Sequence, residues 1–132
     1  MRNLLAFTFA IAASIVPGAA TAHHSFAMFD RTKEVELRNA VVVRWEWTNP
    51  HVWLFVTAPP GRGGARNYSI EGGSTGLLRR QGWQKASFKP GDRVTVYMSP
   101  LKNGELGGSL LGVVLPNGRM LGARLDQLRS SE

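Results

Sequence analysis

Three histidines and no cysteine occur in the chain. The histidines fall in two short segments, Ala22-His23-His24-Ser25-Phe26 and Trp47-Thr48-Asn49-Pro50-His51. A cut after Ala22 would give His23 a free α-amine beside its imidazole. Amine and imidazole nitrogens together form a bidentate chelate, and His51 supplies a third nitrogen, a donor set that suits copper(II). The residues therefore predict a metal site at His23, His24 and His51. In one version His23 and His51 bind; in another His24 replaces His51, with Met28 or Met98 as a soft ligand for reduced copper. The alternative keeps all three histidines structural. His51 then bonds its own turn or packs on Trp53, and His23 and His24 form a polar terminus suited to cleavage.

The first version resembles the histidine brace of exported copper proteins. The spacing of the three is looser than in a compact metal motif such as HExxH. A second candidate is aromatic and basic: Trp45, Trp47 and Trp53 with Arg44, Arg62 and Arg66, which in a small barrel would stack and pair an anionic glycan. The same tryptophans, alternating with charged residues, also read as core. Arg79, Arg80, Lys85 and Lys89 offer a third surface, for an anionic membrane or a partner protein, or a solvated helix face. Catalysis has little to work with. The chain lacks a cysteine nucleophile, a GxSxG elbow and a phosphate loop, and Glu46, Glu71 and Asp92 have no spacing that pairs them as acid and base. No catalytic residue is assigned, and the one catalytic scheme left is a copper-dependent oxidation at His23 and His51.

The chemistry depends on export, because only cleavage frees the amine of His23. Residues 1–22 carry the three parts of a signal peptide: basic Arg2, an apolar run over 4–16, and the small-residue exit Ala20-Thr21-Ala22. The run is about 13 residues, short of the roughly 20 that span a bilayer. This predicts a periplasmic, soluble product with no transmembrane segment in the mature form. Absence of cysteine excludes a lipid-modified N-terminus and disulfides. The formal charge is +7 and becomes +6 when Arg2 leaves, which favours anionic partners. Export disfavours nucleic acid among them.

Residues 23–132 are expected to form one monomeric domain, with an N-terminal arm over 23–32 and a polar tail over 126–132. Between residues 35 and 47 the odd positions are mostly apolar and the even ones include Glu36, Arg38, Arg44 and Glu46, a long half-buried strand. Asn39 in its middle is a candidate bulge. Residues 51–57 read as a central strand, 59–64 as a flexible basic loop and 67–71 as a third strand. Ser74 or Thr75 caps a short helix that Gly82 ends, with Trp83 packing it onto the sheet. Lys89-Pro90-Gly91-Asp92 launches a fourth strand, 109–115 is a fifth, and Pro116-Asn117-Gly118 turns into a short sixth. The expected fold is mainly β: a five- to six-stranded OB-like Greek-key barrel, one short helix between strands 3 and 4, preceded by the signal-peptide helix. A β-sandwich is the alternative.

The double histidine at the export site, the Glu46-Trp47-Thr48-Asn49-Pro50-His51-Val52-Trp53 segment, Arg79 through Gly82-Trp83, and Pro90-Gly91-Asp92-Arg93-Val94 resemble a group of small exported bacterial proteins. That group is catalogued as domain-of-unknown-function family 6152. The resemblance covers nearly all of the mature chain and implies a periplasmic setting in Gram-negative bacteria, without an activity. Asn39 departs from a more usual glycine, a mild change because Asn also adopts left-handed backbone angles.

Overall fold

A computed structural model describes residues 26–61 and 63–131 of the chain. The signal segment, His23, His24 and Arg62 lie outside the described residues. The strands are β1 (Val35–Glu46), β2 (Trp53–Gly61), β3 (Gly64–Glu71), β4 (Arg93–Pro100), β5 (Gly107–Val114) and β6 (Met120–Gly122). Helix α1 (Thr75–Arg80) lies between β3 and β4, and α2 (Leu125–Arg129) follows β6. Neighbours run β3-β2-β1-β4-β5-β6, and an additional parallel pairing of β3 with β5 closes the first five strands into a barrel. That is the OB-like Greek-key arrangement expected, with its helix in the expected connection.

The long first strand serves both halves of the barrel by bulging twice. Opposite β4, one extra residue sits between Leu37 and Ala40, where Asn39 takes φ +53°. Opposite β2, a second extra residue is Val43, between Val42 and Arg44. A bulge shifts the two-residue alternation by one. Inward residues are accordingly Leu37, then Ala40 and Val42, then Trp45 on the odd set again. The uninterrupted odd-numbered face is thus corrected in its middle: Val43 is 53% exposed because the first bulge turned it outward.

Two further expectations change. The segment 59–64 is read as a flexible loop, but its residues 59–61 belong to β2 and Gly64 to β3, and the hairpin extends to a Gly61–Gly64 pairing. Residues 126–129, in the segment 126–132 read as a tail, belong to helix α2. Its first turn is held by Glu34, which accepts from the Leu125 amide at 2.6 Å and the Arg124 guanidinium at 2.8 Å. An anion at a helix start is favoured by unpaired amides there.

Val52, Leu54, Val56, Ile70, Val96 and Val113 fill the barrel. One end is packed by aromatics: Trp45 lies 5.0 Å from Phe88 edge-on and 6.3 Å from Trp83, between ring centroids. The Trp45 indole N–H donates to the Gln84 carbonyl at 3.1 Å. The Trp83 indole N–H, by contrast, is buried without a hydrogen-bond partner, a cost accepted for the area its ring removes from water. Ser74 caps α1 by accepting from the Leu77 amide, and Gly82 follows at φ +87°.

Candidate functional site

The Asn49-Pro50-His51 turn, which contains a cis Asn49–Pro50 peptide, is built into the barrel from both sides. Asn49 Oδ1 accepts from the Thr75 amide at 3.0 Å and the Thr75 hydroxyl at 2.9 Å, tying the turn to the start of α1. Beyond the turn, the Val52 amide donates to the Gly73 carbonyl and the Gly72 amide donates to the Val52 carbonyl. Alternation along β2 sends Val52 and Leu54 inward, so His51 and Trp53 share the opposite face. Trp53 is register partner of Glu71 on β3. His51 is therefore the diagonal neighbour of Glu71 across the strands.

The two side chains meet: His51 Nδ1 is hydrogen-bonded to Glu71 Oε1. The Glu71 side chain is 12% exposed and the His51 side chain 33%. A carboxylate on Nδ1 fixes the ring's orientation and places the proton of the pair on that side, which leaves Nε2 as the working nitrogen. Among the described residues Nε2 has no hydrogen-bond partner. This pairing replaces the expectation that His51 bonds its own turn. Sequence spacing gave Glu71 no partner, because 20 residues separate it from His51. The usable signal was positional: one residue precedes β2 and the other ends β3, and those points adjoin in any antiparallel hairpin.

His51 and Glu71 border a cavity of about 470 Å³. Its walls are Leu77 and Leu78 of α1, Leu110 and Leu111 of β5, Leu128 of α2 and Phe29 of the N-terminal arm. Leu110 and Leu111 are consecutive yet both reach it. The register slips there by one residue against Tyr97 and Met98, and that bulge makes the double contribution possible. The arm is fixed at the same place by a bridge from Phe29 to Leu101 and by the Asp30 amide donating to the Pro100 carbonyl. Asp30 accepts from Thr32 and pairs with Lys33, and those contacts hold its carboxyl down at about 2.

The other expected residues are dispersed. Trp45 and Trp47, 5.6 Å apart, pack against the core with Trp83 and Phe88. Trp53 stacks on Phe55 at 6.2 Å, and the Arg44 guanidinium lies 4.1 Å over the Phe55 ring while also pairing with Glu46. Arg66 is opposite Ala58 and by alternation shares the face of Tyr68 and Ile70, not that of Trp53. The described members of the set thus fall into separate contacts: Trp45 and Trp47 at the core, Trp53 and Arg44 about Phe55, and Arg66 on the other face of β3.

Met98 is buried in the barrel core and Met28 is exposed on the arm, so the two thioethers occupy different environments. Among the described residues no three histidine, cysteine, aspartate or glutamate side chains gather as a metal-holding group. No helix among them is long and apolar enough to cross a membrane. No curated protein and no solved structure matches the chain. Residues 11–110, spanning β1 to β4 and the start of β5 with the His51–Glu71 pair among them, match the family described as Family of unknown function (DUF6152), and the chain belongs to that family.

Proposed function

We propose that the mature chain is a monomeric binding module of the periplasm that holds its ligand at His51, and that this ligand is copper(II). The observation that carries the reading is the His51–Glu71 pair at a cavity bordered also by Phe29. A histidine oriented through Nδ1 by a carboxylate is the usual posture of a metal-binding imidazole, because the carboxylate sets the tautomer and raises the basicity of Nε2. Phe29 follows His23 by six residues. Phe26–Met28 form a 3-10 turn that rises roughly 2 Å per residue, and extended chain covers roughly 3.3 Å, so an arm anchored at Phe29 has at most about 16 Å in which to return its first residue to the cavity. After cleavage behind Ala22, that residue brings an amine and an imidazole. Three nitrogen donors match the preference of copper(II).

The test is a copper titration of mature protein starting at His23, followed by calorimetry and by electron paramagnetic resonance. One copper should bind with nitrogen hyperfine structure. His51→Ala, and separately a one-residue extension before His23, should each weaken binding at least tenfold. An affinity unchanged in both variants would overturn the reading.

A further inference from the structure

We infer that the cavity bordered by His51 and Glu71 is itself a binding site for a small, neutral, apolar molecule carrying one hydroxyl group, an alkylphenol being the simplest example. The inference goes beyond the copper reading: it requires neither the metal nor the N-terminal amine.

The cavity's size comes first. At about 470 Å³ it falls within the roughly 300–1,000 Å³ of small-molecule sites. Phe29 and five leucines make the larger, apolar part of its wall, its ionisable members sit together as one hydrogen-bonded pair, and Gln81 and Ser109 are the other polar side chains. An apolar body with a single polar head fits that division. Exposure points the same way. Leu77 and Leu128 are 42% and 43% exposed, and both border the cavity from different helices. Large exposed apolar side chains facing a common hollow mark a place where apolar surface is covered on binding.

The head group follows from His51. With Nδ1 engaged by Glu71, Nε2 offers a lone pair when the ring is neutral and an N–H when it is charged. A hydroxyl satisfies both forms, since it donates to the first and accepts from the second. A carboxylate can only accept, and it would sit close to the charge of Glu71, where like charges repel. A bare hydrocarbon leaves Nε2 unpaired on desolvation, which costs affinity. Gly72, Gly73, Gly122 and Ala123 also line the cavity, so part of its wall is backbone with little or no side chain.

The probes are 4-butylphenol, butylbenzene and 4-butylbenzoate, titrated by calorimetry and by methyl and amide NMR into mature protein kept in EDTA. Butylphenol should bind with 1:1 stoichiometry, at least tenfold more tightly than either comparator. It should shift resonances of Leu110, Leu111 and Leu128, and leave Trp53 and Phe55 unchanged. His51→Ala should erase the preference for the phenol over butylbenzene while both still bind. Ala123→Phe should block all three, with circular dichroism checking the fold. If Ala123→Phe does not fold, the wild-type shift pattern and the His51→Ala comparison decide. No butylphenol binding, equal affinity for all three probes, or shifts centred on Trp53 and Phe55 would each overturn the inference. One equivalent of copper(II), added after the EDTA is removed, separates the two readings. Displacement of bound phenol by copper supports both; phenol binding without copper binding overturns only the metal; copper binding without phenol binding overturns only the cavity ligand.

Discussion

Two regions of the barrel gather large apolar side chains and treat them in opposite ways. Around Trp83 the rings of Trp45, Trp47 and Phe88 occupy the space completely enough that Trp83 gives up a hydrogen bond to be there. Around His51 the leucines of two helices and a strand line a hollow of about 470 Å³. Protein interiors pack at crystal-like density, so a hollow bordered by exposed leucines is exceptional where a filled aromatic cluster is ordinary. The polar groups reinforce the contrast. The filled region leaves an indole N–H without a partner, whereas the hollow has a histidine whose one nitrogen is deliberately held and whose other has no partner among the described residues. The first region is a source of stability, and the second is where the proposed binding would occur.

Substitutions on each side should therefore separate stability from binding. Trp83→Ala should have the largest effect, about 4 kcal/mol of unfolding free energy, because it removes a fully buried ring; chemical denaturation measures it, and a loss below about 1 kcal/mol would show that the aromatic end is not the anchor. Glu71→Gln should cost copper affinity about tenfold or more through the misoriented imidazole, with a smaller loss of stability, about 1 kcal/mol. Equal copper affinity in that variant would detach Glu71 from ligand binding. Ser74→Ala should cost about 1 kcal/mol through the cap of α1, seen as a lowered melting temperature. Leu77→Ala, on the exposed rim, should cost only about 0.5 kcal/mol while weakening butylphenol several-fold. The smallest effect belongs to Asp30. Its carboxyl is held near 2, below its usual value near 4, so the anionic form is favoured in the folded state. The resulting support for the N-terminal arm is complete at neutral pH and lost as pH falls from about 4 through about 2. An NMR titration following Asp30 and the Thr32 amide should give that low midpoint; an ordinary midpoint would place the arm loose from the cavity.

Much of this arrangement was legible in the sequence where local signals act. The Ser74 cap, the Gly82 stop, the Pro90-Gly91 turn and the alternation of Val52, Leu54 and Val56 are all set by residues near one another in the chain. Parity in β1 was legible only at its ends, because Asn39 announced one bulge and nothing in Val42-Val43-Arg44 announces the second. Helix α2 looked like a tail because its order comes from Glu34, 90 residues away. The His51–Glu71 pair was hidden for the same reason. His51 stood out as a residue worth following, but its partner is chosen by strand register, which only the assembled hairpin defines.

The parallel seam between β3 and β5 carries its own consequence. Ser69 and Ile70 meet Gly107 and Gly108 there, and a side chain on either glycine would run into the carbonyl oxygen of Ser69 or of Ser99. The barrel is thus sealed by bare backbone along this seam. Neither glycine brings apolar area to reward the long loop that must close to reach it, and the still more distant pairing of Val35 with Met98 is no earlier to close. Loop entropy is spent before such contacts return anything. The β1-β2-β3 meander, whose pairings are local, is therefore expected to form first, and the folding rate is expected to be limited by the two distant closures, β4 onto β1 and the two glycines onto β3.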